Sequence, residues 1–173
     1  MFALSSNEQI KHIACSDDFN IVLTTQNRIL SFGKNEDGQL GIMPDIQERV
    51  IYDITDNFIL QDGDYIVDVA CGASHSIALS NNGYVYGWGS NAFFQLGIEN
   101  ENILYTPTHL NSIKETIVKI DCGRYTSYLL TNQSQLYGFG SDSYGQLATC
   151  DTILTSNVKK VPYLMNGGFK LQN

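Results

Sequence analysis

The sequence predicts an all-β protein, an arc of about three four-stranded blades forming a partial β-propeller, and three observations carry that prediction. One segment recurs three times in a single register, polar and apolar residues alternate along short runs separated by turn signals, and no stretch offers a long amphipathic helix. The repeats occupy residues 10–41, 66–97 and 117–148 without a gap. Six columns hold the same residue in all three: Ile10/Ile66/Ile117, Cys15/Cys71/Cys122, Leu23/Leu79/Leu130, Gly33/Gly89/Gly140, Gln39/Gln95/Gln146 and Leu40/Leu96/Leu147. Chance similarity seldom keeps one register across three repeats.

Each element follows from local chemistry. Ile66-Val67-Asp68-Val69-Ala70-Cys71 is apolar at alternate positions, as a half-buried strand must be. After Gly72, Ser76-Ile77-Ala78-Leu79 forms a second strand, and Asn81-Asn82-Gly83 supplies the positive-φ residues of a tight hairpin. Tyr84-Val85-Tyr86-Gly87-Trp88-Gly89 is the third strand, rich in aromatics suited to a pleated surface. The first repeat matches with Ile21-Val22-Leu23 and Ile29-Leu30-Ser31-Phe32-Gly33, and the third with Ser127-Tyr128-Leu129-Leu130 and Leu136-Tyr137-Gly138-Phe139-Gly140. A glycine-flanked turn ending in Gln-Leu closes each unit. A connector then carries a fourth, outer strand: Val50-Ile51-Tyr52-Asp53-Ile54, Tyr105-Thr106-Pro107-Thr108-His109-Leu110 and Val161-Pro162-Tyr163-Leu164. The repeat units therefore run over 10–54, 66–110 and 117–164 of a single 1–173 domain.

The run Val-Ala-Cys-Gly-x-x-His-Ser-x-Ala-Leu, followed by Asn-Gly-x-Val-Tyr-x-Trp-Gly and Gln-Leu-Gly over 69–97, resembles the RCC1 (regulator of chromosome condensation) repeat. The first repeat departs from the pattern at Ser16 and Phe19, the third at Thr126 and Ala148. The resemblance implies a propeller of about seven blades. It also implies that the loops bearing the Gly-x-x-His motif lie together on one face and engage a protein partner, a Ran-like small GTPase in the founding case. The corresponding positions are Asp17, Asp18, Ser74, His75, Arg124 and Tyr125.

Three blades cannot close such a ring. Asn166-Gly167-Gly168 reads as a turn and Phe169-Lys170-Leu171, within 165–173, as the opening of a fourth repeat. The expectations are a fragment of a longer propeller, an arc completed by a partner or a second molecule, or a stable monomeric arc. Unpaired edges and faces favour self-association or a partner.

Charge and composition narrow the function. Eighteen acids against ten bases give a net −8, the opposite of a phosphate-binding surface, so no direct nucleic-acid contact is expected. The charge is lopsided: residues 1–65 carry −7, 66–116 carry −3 and 117–173 carry +2. No run of apolar residues is long enough for a spanning helix, and no secretory signal is evident, so the expected location is intracellular, cytoplasm or nucleus. The four cysteines lack metal-ligand spacing and read as reduced, the three aligned ones as small apolar side chains and Cys150, outside the register, as a free surface or boundary thiol; no metal or cofactor is expected. The Gly-Tyr-Val-Tyr-Gly-Trp-Gly run lies in a strand and opens no helix, so it is no phosphate cradle. His75 either braces its own turn or meets the partner, and no nucleophile or paired carboxylate accompanies it. Two function classes remain: a non-enzymatic protein-interaction module, and a guanine-nucleotide exchange factor, or part of one, for a Ran-like GTPase.

Overall fold

A computed structural model describes residues 4–44, 50–99, 101–111, 113–148 and 155–161. Among them are twelve strands and one three-residue 3-10 turn, Thr55–Asn57. The first sheet holds β1 (Ile10–Cys15), β2 (Phe19–Thr24), β3 (Ile29–Gly33) and β4 (Tyr52–Asp53). The second holds β5 (Ile66–Cys71), β6 (His75–Ser80), β7 (Val85–Ser90) and β8 (Ile103–His109). The third holds β9 (Ile117–Gly123), β10 (Thr126–Thr131), β11 (Leu136–Gly140) and β12 (Thr155–Lys160). Each sheet is a meander with its strands in sequence order and every adjacent pair antiparallel. The fold is the all-β arc of three blades that the repeat predicts.

The repeat register is visible in the bonding. Asn27, Gly83 and Ser134 share one column, and each takes positive φ (59°, 84° and 60°) at the hairpin between the second and third strands. Ile54, Leu110 and Val161 share another, and each donates its N–H to the carbonyl of Ile29, Val85 or Leu136, the first residue of the third strand. That column locates the outer strands. In the first two blades the expected run ends at the anchor, whereas in the third it begins there. The observed outer strand, Thr155–Lys160, precedes Val161. It is polar in sequence, as an edge strand should be, and apolar content alone points instead to the residues after it. Residues 162–164, Cys150, the Asn166-Gly167-Gly168 turn and the Phe169-Lys170-Leu171 run lie outside the described residues.

The cores lie between blades. One cluster joins Phe19, Ile21, Leu23, Ile29, Leu40 and Ile54 of the first blade to Ile66, Val69, Ala78, Tyr86 and Trp88 of the second. The other joins Ile77, Leu79, Val85, Leu96 and Leu110 of the second blade to Ile117, Ile120, Leu129 and Phe139 of the third. In register these are the same pair of faces used twice: a forward face of one blade against a backward face of the next. Trp88 and Phe139 occupy the interblade aromatic column and are buried, and the edge-on ring of Phe58 packs on Trp88 at 5.4 Å between centroids.

The end blades show what each face lacks. Ile66 and Ile117 are 1% and 4% exposed, but Ile10, in their column, is 59% exposed. Likewise Val69 and Ile120 are 3% and 4% exposed against 50% for Ile13. Tyr128, Leu130 and Leu136, the forward face of the third blade, are half-buried where their counterparts in the other two blades are fully buried.

Ile66→Ala or Ile120→Ala should therefore cost about 2–5 kcal/mol. Ile10→Ala, the same change in the same repeat column, should stay within about 0.5 kcal/mol. Urea unfolding of the three variants checks the contrast.

Candidate functional site

The turn that closes each repeat is built by two side chains. Asn35, Asn91 and Asp142 each accept through Oδ1 from the N–H of Leu40, Leu96 or Leu147, at 2.9, 3.0 and 2.7 Å. Gln39, Gln95 and Gln146 each accept through Oε1 from the N–H of Asp37, Phe93 or Tyr144, at 2.9, 2.8 and 2.8 Å. With the side chain so used, the Gln main-chain carbonyl is turned to the next blade. Ser76 Oγ and Trp88 Nε1 donate to the Gln39 carbonyl at 3.0 and 2.9 Å, and Ser127 Oγ donates to that of Gln95 at 2.7 Å. The recurring Gln is thus a polar clasp between blades.

The same turns set the candidate face. Lys34, Ser90 and Ser141 donate backbone N–H to the carbonyls of Asp18, Ser74 and Tyr125, at 2.9, 2.7 and 2.9 Å, pinning the loop between the first and second strands of each blade. Gly33, Gly89 and Gly140 make this close crossing possible. All have positive φ, and a Cβ at any of them would press on the carbonyl oxygen of Asp18, Ser74 or Tyr125. The loops are also tied to one another: Ser16 Oγ donates to the Ala73 carbonyl at 3.4 Å and Ala73 N–H to the Arg124 carbonyl at 2.9 Å. Together they rim a cleft of about 470 Å³, lined by Ser16, Asp17, Gly72, Ala73, Gly123 and Arg124 above the cysteine column.

Of the six sequence-derived positions, Asp17, Asp18 and Arg124 are exposed and Ser74 and Tyr125 half-exposed on this rim. Asp18 lies 3.8 Å from Lys34, which also pairs with Glu36 at 2.8 Å. Arg124 donates through Nε to the Tyr125 hydroxyl at 3.1 Å, with its guanidinium carbon 5.4 Å from that ring's centroid. The Tyr125 hydroxyl, and to a smaller extent the charge of Asp17, hold the guanidinium more firmly protonated than usual. Sequence reasoning missed Phe93. It packs on Tyr125 with the rings tilted by 40° and their centroids 4.8 Å apart, remains 37% exposed, and belongs to the column of Asp37 and Tyr144, the latter 95% exposed. The sequence signal was weak, because the neighbouring column (Glu36, Ala92, Ser143) varies as much as this one (Asp37, Phe93, Tyr144).

His75 is placed differently. Its ring has no solvent exposure and points to the third blade, with Nε2 3.0 Å from Ser127 Oγ. Because Ser127 spends its hydrogen on the Gln95 carbonyl, Nε2 must carry the imidazole proton and donate. His75 therefore extends the interblade clasp and does not share the exposed rim with the other five residues. Its own turn closes by Gly72 N–H to the His75 carbonyl at 2.8 Å, and the ring lies over Gly72, where a Cβ would run into its Cε1 and Nδ1. Nδ1 is buried without a partner. Burial, against a smaller opposing pull from the Thr126 backbone, lowers the His75 pKa to about 4.

Two of the three cysteines in the column are held as thiols. Burial pushes the Cys71 thiol up to about 12 and raises the Cys122 thiol well above its ordinary value. Cys15 is exposed. Among the described residues no group of three His, Cys, Asp or Glu side chains is arranged to hold a metal ion, and no helix is long and apolar enough to cross a membrane.

The family model described as "Regulator of chromosome condensation (RCC1) repeat" matches residues 10–39, 66–95 and 117–146. A second model of that description matches 26–79 and 82–130. This chain belongs to the RCC1-repeat family. It is 34% identical over 161 residues to the Mus musculus protein described as "Probable E3 ubiquitin-protein ligase HERC4", covering 92% of this chain and 15% of that one. Among solved structures it is similar to human WBSCR16 (TM-score 0.76, 26% identity, 91% of this chain and 42% of that one). It is also similar to Prp20p of Saccharomyces cerevisiae (TM-score 0.75, 22% identity, 88% and 38%), a structure described together with binding to Gsp1p and histones. These neighbours are β-propellers, of which the RCC1-repeat chain spans about two-fifths.

The pH dependence of stability should expose His75. The folded pKa lies below the ordinary 6.5, so the favourable neutral form is fully present above pH 6.5. As pH falls from 6.5 toward 4, the unfolded ring gains a proton that the folded ring refuses, costing on the order of 3 kcal/mol by pH 4. Urea midpoints measured between pH 7 and pH 4 should fall less steeply for His75→Thr, which places the third blade's residue in this column.

Proposed function

We propose that this RCC1-repeat chain is a non-enzymatic protein-interaction module that presents the rim formed by Asp17, Asp18, Ser74, Arg124 and Tyr125, together with Phe93. The observation that supports this reading most is the rigid assembly of the rim. Three loops from three blades are pinned from behind by the N–H groups of Lys34, Ser90 and Ser141 and tied side to side through Ala73. A surface so held binds without first being ordered, which lowers the entropic cost of association. Its composition suits a protein partner: an exposed aromatic pair, an Arg stacked on one of its rings, and carboxylates at the edge.

The second reading is guanine-nucleotide exchange on a Ran-like GTPase, favoured by the likeness to Prp20p and by the carboxylates of Asp17 and Asp18. The burial of His75 weighs against it, because an imidazole bonded to Ser127 in the next blade cannot reach a nucleotide.

Asp17→Lys combined with Arg124→Glu and Phe93→Ala should reduce capture of a partner from cell extract by about tenfold or more. Substitutions of the opposite hairpins, such as Gln26→Ala and Gln133→Ala, should leave capture unchanged. Retention equal in both sets would overturn the proposed rim. In a nucleotide-release assay with a Ran-like GTPase the chain should give no acceleration; a clear acceleration would favour the second reading.

A further inference from the structure

We propose that the seam between the second and third blades, where Phe93 lies against Tyr125, docks an extended segment of a protein partner that carries one large apolar side chain for the seam and Lys or Arg beside it. The inference rests on the interaction rim proposed above and names the chemistry that fits it. The closing turn of one blade stands beside the first loop of the next. Phe93 thereby meets Tyr125 with ring centroids 4.8 Å apart, and Asp37, in the same column, stands beside Ser74 one blade earlier. Phe93 is 37% exposed and Ala92 before it is exposed, although their blade has a neighbour on each side. Both junctions lie inside the described arc, so these groups are open because they sit on the propeller face, not because they sit at an end of the chain.

The rings make the site, and the charges around it select the occupant. The first blade carries Asp18, Glu36 and Asp37 against one cation, Lys34, whose ammonium is shared by Glu36 at 2.8 Å and Asp18 at 3.8 Å. The Glu36 side chain is 76% exposed, and Asp37 forms no direct ion pair among the described residues. The second blade contributes Ala73, Ser74, Ala92 and Phe93, which are uncharged and open to solvent. The third contributes Tyr125 with Arg124 against its ring, and Asp17 helps to hold that guanidinium protonated. A segment crossing from the first blade to the third therefore meets carboxylates, then rings, then a guanidinium. An apolar side chain gains by covering the rings, and basic residues on the first-blade side gain from the carboxylates. The reverse polarity would set carboxylate against carboxylate at one end and cation against Arg124 at the other, so the charges fix direction as well as composition.

Selection of a phage-displayed library of random peptides on the immobilised chain tests the proposal. The enriched peptides should carry an excess of Lys and Arg on one side of a single aromatic or large aliphatic residue. For one of them made synthetically, fluorescence anisotropy should show binding weakened about tenfold or more by Phe93→Ala and by Glu36→Lys with Asp37→Lys, and weakened by added salt. Gln26→Ala with Gln133→Ala, on the opposite hairpins, should leave it unchanged. The substituted side chains reach the surface, and circular dichroism checks that each variant keeps its fold. Peptides that need Phe93 but show no excess of basic residues, or that bind the charge-reversed variant as well as the wild type, overturn this inference and leave the rim in place. Peptides indifferent to both Phe93→Ala and Arg124→Glu overturn the rim itself. A library that yields no peptide above the bare surface overturns the inference alone, because a rim that takes only a folded surface would give that result.

Discussion

Ile21 and Leu23 of the first blade, and Ile77 and Leu79 of the second, find their apolar partners in the following sheet. Each sheet is about four strands wide and one layer thick, so it can hide its side chains only against a neighbour. Burial is consequently a property of a blade's position in the row. The same isoleucine column is dry in the second and third blades and wet in the first, with no change of residue. Stability and exposure both follow from that one constraint.

The polar groups follow the same division. A Gln whose side chain folds its own turn turns its carbonyl outward, and the next blade supplies Ser76 with Trp88, or Ser127, which also bonds His75 of the Gln's own blade. These bonds are buried, where an unpaired donor or acceptor would cost about 1–3 kcal/mol, so they fix register as well as adding stability. The exposed rim depends on them indirectly. The turns that clasp adjacent blades also hold the loops carrying Asp18, Ser74 and Tyr125, so the interaction face is set by the interblade packing beneath it.

Much of this was legible in the sequence because the repeat supplies three readings of one design. Alternation located the inner strands, and the Gly33/Gly89/Gly140 and Gln39/Gln95/Gln146 columns stood out as recurrent without showing what they contact. The third outer strand was misplaced because Thr155–Lys160 has the polar character of an edge, while the apolar residues after it resemble a strand more closely. His75 was ambiguous for a different reason. A Gly-x-x-His loop gives the position of the residue but not the direction of its ring, and the decisive partner, Ser127, lies in the next repeat. Phe93 and Tyr144 were hidden in a turn whose neighbouring residues are structural, and only the folded chain sets Phe93 against Tyr125.

The most direct test of the interblade account is native-state hydrogen exchange, residue by residue, on the chain under conditions that keep it monomeric. If the cores lie between blades, the amides of β6 and β7, in the blade covered on both sides, exchange only through global unfolding, whereas those of β1 and β12 open with much smaller free energies. Equal protection in all three blades, or a first blade that keeps its protection after the third has opened and the second has lost its own, would contradict the account.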